Sequence, residues 1–198
     1  GGGSAAQVTQ APAEPAKAAF PEKVFFGDTH LHTSYSVDAG AFGARLTPRD
    51  AYVFAKGNEV TASSGQPAKL RRPLDFLVVS DHSDAMGFFP LILAGTPAIM
   101  ADPQGKKWHD MIASGQGNAA ALDIIGNFGT GTISKAILPL PGTPAYQSAW
   151  QDTIKAAEEA NDPGRFTAFI GYEWTSNTGG NNLHRNVIFR DNADKASK

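Results

Sequence analysis

Four of the five histidines in this 198-residue chain fall in three short clusters that combine nitrogen and carboxylate donors. These are Asp28-Thr29-His30-Leu31-His32, Ser80-Asp81-His82 and Leu183-His184-Arg185, and Gly171-Tyr172-Glu173-Trp174 adds a carboxylate after an apolar run. Zn²⁺, Mn²⁺ and Fe²⁺ accept imidazole and carboxylate and leave a coordination position for water, so such donors gathered at strand ends suit a hydrolytic metal centre. The pattern predicts a metal-dependent hydrolase. The chain has no cysteine. Thiolate zinc sites, disulfides and cysteine nucleophiles are therefore excluded, and His, Asp and Glu must supply every ligand.

The elements that would position these residues alternate between strand and helix. A β-type run, Glu22-Lys23-Val24-Phe25-Phe26-Gly27, delivers Asp28, His30 and His32 at its end, where period two turns all three to one face. Thr47-Pro48 opens a helix that stops at Gly57, with Thr47 as N-cap and Pro48 at the first helical position. Leu74-Asp75-Phe76-Leu77-Val78-Val79 is apolar enough for a strand buried on both faces, and it ends in Ser80-Asp81-His82.

Residues 85–143 are rich in Gly, Ala and Pro and read as an irregular insertion on the active-site side, with short amphipathic pieces near 106–112 and 119–128. Thr143-Pro144 starts a second helix that runs to about Ala160 and presents Tyr146, Trp150 and Ile154 on one stripe. A third strand follows over Phe166–Trp174 and a fourth over Asn186–Phe189. Joined as a hairpin with its turn centred between Thr178 and Gly179, these would set Glu173 opposite His184, with Cβ atoms roughly 5 Å apart.

Composition narrows the partners. A formal net charge of −2, from 17 basic and 19 acidic residues, gives no basic field for nucleic acid. No apolar stretch reaches the roughly 20 residues of a membrane span. Hydrophobic residues make up 41% of the chain, enough for one sizeable core. Residues 1–21 read as a flexible Ala/Pro/Gly leader ahead of one domain over 22–198, and such a leader suits an exported, periplasmic or secreted protein, with the cytoplasm as the alternative.

Taken in order, these motifs resemble the polymerase and histidinol phosphatase (PHP) superfamily of metal-dependent phosphoesterases. The opening His-x-His looks like His30-Leu31-His32, the following acidic residue like Asp38 in Ser36-Val37-Asp38-Ala39-Gly40, and the Asp-His motif like Asp81-His82. The bridging glutamate looks like Glu173 and the next histidine like His184. The fuller strings Phe26–Thr33, Gly171–Trp174 and His184–Val187 resemble an often exported bacterial branch of that superfamily.

The resemblance implies a distorted α/β barrel and two or three divalent ions, Zn, Mn or Fe. His30, His32 and Glu173 would hold one ion, Glu173 and His184 a second, and Asp38 with His82 a third. Asp81 would orient ligands, Arg185 would neutralise a small anionic substrate, and metal-activated water would cleave a phosphoester. The family's later motifs, a further histidine and a closing Asp-x-His, have no counterpart before Lys198. The chain therefore resembles the amino-terminal part of such a protein, and its carboxy-terminal remainder, as a separate chain, is an expected partner.

Other assignments compete. Asp38 suits a turn before Gly40 as well as a ligand, and Glu173 suits a hairpin ion pair with Arg185 as well as a bridge. His109 reads as a solvated helix residue. Ser80, Asp81 and His82 cannot form a nucleophilic triad, because neighbours on a strand face opposite ways. An amidohydrolase acting on amides or lactones also starts from His-x-His, but often bridges its metals with a strand-end lysine that this chain lacks. A non-catalytic metal-binding or partner-binding fragment is the third class.

Overall fold

A computed structural model describes residues 21–176 and 182–198. The chain runs β1 (Gly27–Leu31), α1 (Val37–Ala41), α2 (Pro48–Ala55), β2 (Val60–Thr61), β3 (Pro67–Ala68) and β4 (Phe76–Val79). Four helices follow, α3 (Phe88–Ala94), α4 (Pro97–Ala101), α5 (Pro103–Ala113) and α6 (Gly117–Thr130), then α7 (Pro144–Ala160), β5 (Thr167–Phe169), β6 (Gly171–Ser176), β7 (Leu183–Ile188) and α8 (Ala193–Ala196). The fold is mixed α/β. The described strands form a three-stranded parallel sheet in the order β1-β4-β5 and two antiparallel pairs, β2-β3 and β6-β7, with no closed barrel among them. None of the described helices is long and apolar enough to cross a membrane.

The central strand is buried as its apolar run requires, with Leu77, Val78 and Val79 all 0% exposed. Helix α2 packs on it and α7 packs on α2 and β5, and Tyr52, Ile154, Ala157, Phe166 and Ile170 complete that core. Both helices start at the Thr-Pro pairs that the sequence marks. Thr47 forms a capping box, its hydroxyl accepting from Asp50 N while Asp50 Oδ2 accepts from Thr47 N at 2.8 Å. Thr47→Ala is expected to lower stability by about 1 kcal/mol, read as a shifted urea midpoint at unchanged slope.

Two expectations need correction. Residues 85–143, expected to be irregular, form an ordered helical layer with its own core, in which Phe88, Ile92, Trp108 and Ile124 are fully buried and the rings of Phe88 and Trp108 meet edge to face at 6.1 Å. Its glycines and prolines punctuate helices: Gly87 and Gly95, both at positive φ, flank α3, while Pro97 and Pro103 occupy first-turn positions of α4 and α5. The single strand expected over Phe166–Trp174 is instead two strands in different sheets. The chain turns at Ile170-Gly171, where a Cβ on Gly171 would come within 2.6 Å of Val78 Cγ1 and 2.8 Å of Val187 O. The first strand also begins later than its apolar run, leaving Val24, Phe25 and Phe26 exposed. The leader lies outside the described residues, Pro21 excepted.

Candidate metal centre

Main-chain bonds beyond the sheet bring the histidine-bearing segments together. Ser80 N donates to Leu31 O at 2.8 Å, so the residues after β1 run beside those after β4. Glu173 N donates to Asp81 O at 3.0 Å and Ser83 N to Glu173 O at 2.8 Å, which makes β6 a parallel neighbour of the Asp81–Ser83 segment and sets Glu173 beside His82. Asn186 Nδ2 donates to Thr29 O at 2.8 Å and seats β7 against β1.

All six candidate ligands converge there. His30 Nε2 lies 3.0 Å and His32 Nε2 2.8 Å from the same oxygen, Glu173 Oε2, while His184 Nδ1 lies 2.8 Å from Oε1. His82 Nε2 stands 3.3 Å from Asp38 Oδ2, and His32 Nδ1 stands 3.4 Å from Asp38 Oδ1. The donors form three overlapping triads: His30, His32 and Glu173; His32, Asp38 and His82; His82, Glu173 and His184. Within each triad the donor atoms lie within 4.8 Å of one another. Glu173 is 2% exposed, whereas His184 and Asp38 border an open cleft of ≈ 320 Å³.

The electrostatics of the cluster favour a cation. Burial pushes the His32 imidazole down, but its hydrogen bond to Asp38 and the charges of Asp38, Asp81 and Glu173 outweigh it, leaving the pKa raised. For Asp38, burial pushes up, yet hydrogen bonds from His32, His82 and Ser36 hold the carboxyl far below its ordinary range. Carboxylates that draw a proton onto a half-buried imidazole present the field a divalent ion would enter, and this nitrogen and oxygen donor set fits Zn²⁺, Mn²⁺ or Fe²⁺.

Hydroxyl residues that the sequence reading missed bond the candidate ligands. Buried Ser36 donates to Asp38 Oδ1 at 2.7 Å, stands 2.8 Å from His32 Nδ1 and accepts from His82 N at 3.2 Å. Thr175 Oγ1 lies 2.8 Å from His82 Nδ1 and 3.2 Å from His184 Nδ1. Strand period two from Glu173 puts Thr175 on the ligand face, a signal available in the sequence; Ser36 offered none beyond its neighbour Asp38. Asp81 is fully buried and accepts from Thr33 N and, at 2.6 Å, from Thr33 Oγ1. Burial pushes its carboxyl up to about 6 against the downward pull of the Thr33 donors.

The expected details change in four places. The hairpin register differs by two residues: Glu173 pairs with Asn186 and His184 with Thr175, so Glu173 and His184 meet diagonally on one face. The expected turn position lies outside the described residues. Asp28 does not join the cluster, because Oδ1 folds back to accept from His30 N at 2.8 Å and the β1-β4 register slips between Asp28 and Leu31. Arg185 pairs with Trp174, and strand alternation puts both on the face away from Glu173 and His184. Its guanidinium bonds His184 O at 2.7 Å instead of reaching the cluster or forming an ion pair with Glu173. His109 is half-buried, with Nδ1 2.8 Å from Ile92 O, where it ties α5 to α3.

A protein family described as "Protein of unknown function (DUF3604)" matches residues 19–198. The chain belongs to the DUF3604 family. No curated protein and no solved structure matches it. The DUF3604 match spans all six candidate ligands together with Ser36, Asp81 and Thr175.

Proposed function

We propose that this DUF3604 protein is a metal-dependent hydrolase of the phosphoesterase type, built on a distorted PHP-like (β/α) barrel of which these strands form a part. One observation carries the reading: both oxygens of buried Glu173 face imidazole nitrogens from separate strands, with His82 and Asp38 closing the cluster. The placement of His32 and His82 just past the C-terminal ends of parallel strands supports the barrel.

A neutral imidazole offers one lone pair, so His32 and His82 cannot each serve two of the three triads at once. This chain's donors complete two triads together, His30-His32-Glu173 and His82-Glu173-His184. Asp38 is then left as an added ligand or a third-ion site. Divalent ions bound there would polarise a phosphoryl oxygen and acidify water. The protein's own groups orient that chemistry: Ser36 at Nδ1 fixes the His32 imidazole plane while Nε2 faces Glu173, and the open cleft would admit a small anionic substrate.

Elemental analysis of gently purified protein tests this, with His30→Ala/His32→Ala as the comparison. Two ions per chain in the wild type, about one in the double variant, and phosphoester cleavage lost along with metal are the expected results. Equal metal content in both proteins would falsify the assignment. Cleavage of amides or lactones without phosphoesters would move the activity to the amidohydrolase class.

A further inference from the structure

A second and larger cleft, ≈ 480 Å³, opens beside the one that His184 and Asp38 border. Its walls are mostly apolar: Phe128 comes from α6, Tyr146 from α7 and Trp174 from β6, with Ile133, Leu138 and Leu140 between them. Trp174 is 46% and Leu140 38% exposed, so these side chains present apolar surface to the cleft instead of filling a core. Asp84 and Phe128 line both clefts. At that shared wall Asp84 Oδ2 is buried with no hydrogen-bond partner among the described residues. Lys135 is the one cation in the lining among the described residues.

Size and chemistry together select the occupant. Organic ligands bind in mostly apolar cavities of roughly 300–1,000 Å³ with a few placed polar groups. A sugar here would press its hydroxyls against Phe128, Ile133 and Leu138, where they would lose hydrogen bonds to water without replacement. An aromatic ring matches the aromatic walls. A bare phosphate would leave the cleft unused.

The geometry points to a two-part substrate site, in which the ligand cluster takes the anionic head of a phosphoester and the apolar cleft takes an aromatic group on the same molecule. The head-group half rests on the hydrolase reading above; the aromatic half rests on the walls of the second cleft. Aryl and arylalkyl phosphoesters are the substrate class assigned.

Calorimetric titration of the purified, zinc-supplied protein with methylphosphonate, benzylphosphonate and benzyl alcohol separates the two halves. Benzylphosphonate is expected to bind about tenfold or more tighter than methylphosphonate, and Trp174→Ala, or Leu140→Ala as a second wall variant, should remove that advantage while leaving methylphosphonate binding unchanged. Equal binding of the two phosphonates to the wild type overturns the aromatic half and leaves the head-group reading standing. Trp174-dependent binding of benzyl alcohol, with neither phosphonate bound more tightly than it, sinks the head-group half and with it the two-part site.

Discussion

Replacing Glu173 with glutamine is expected to remove metal from both triads at once, a larger loss than His30→Ala/His32→Ala produces. The carboxylate directs Oε2 at His30 and His32 and Oε1 at His184, so it is the one donor common to the two triads that can fill together. Glutamine keeps the shape but replaces one oxygen with an NH₂ that cannot bind a cation and removes the negative charge that balances it. Metal content should fall to near zero, against about one ion in the double histidine variant. Excess zinc at about a thousand times its Kd stabilises a binding protein by about 4 kcal/mol, so the wild type should show a zinc-dependent rise in unfolding midpoint that the glutamine variant lacks. Phosphoester turnover should fall by more than the roughly 10–100-fold typical of losing an outer-shell partner. A Glu173→Gln protein that still retains one ion would mean that Asp38 and the histidines form a site independent of Glu173, and the bridge would have to be abandoned.

That these donors would meet was legible only in part, through the stops of the apolar runs; Glu173 lies inside β6, Asp38 in α1 and His184 near the start of β7. His32 and His82 follow β1 and β4, where such runs stop. What the sequence could not specify was how segments meet after they leave the sheet. The hairpin register depends on a turn whose length the Gly-Gly-Asn-Asn segment leaves open, and a shift of two residues keeps every side chain on its original face, so the period-two pattern cannot detect it. The same alternation turns Arg185 to the face opposite Glu173, which its charge alone does not signal. The break between β5 and β6 depends on the approach of Val78 and Val187 to Gly171, a tertiary contact with no local signal. In residues 85–143 the prolines mark helix starts, because Thr96-Pro97 and Asp102-Pro103 follow the same rule as Thr47-Pro48. Asp102 even caps α5, accepting from Gln104 N at 2.9 Å and Gly105 N at 3.1 Å.

Asp81→Ala is expected to destabilise the fold by about 2–6 kcal/mol, because it leaves two buried donors, Thr33 N and Thr33 Oγ1, without an acceptor, and each such loss costs about 1–3 kcal/mol. Asp81→Asn should cost far less. Its carbonyl oxygen can accept from Thr33 N, and its NH₂ can donate to Thr33 Oγ1, which accepts from Tyr35 N at 3.2 Å and has a second lone pair to offer. The contrast matters for the site because Thr33 follows His32 directly and the Thr33–Asp81 clasp joins the segment after β1 to the segment after β4. Loosening it frees His32 from the geometry shared with Ser36 and Glu173. Metal affinity in Asp81→Ala should therefore drop by about 10–100-fold even under conditions where the variant is fully folded, whereas Asp81→Asn should bind nearly as tightly as the wild type. Urea unfolding measured with chelator present isolates the stability cost, and zinc titration of the folded variants isolates the positioning cost. If Asp81→Ala and Asp81→Asn lose metal affinity equally, the negative charge of Asp81 would be what the centre requires, and Asp81 would have to be counted among the groups that hold the cation instead of among those that hold the chain.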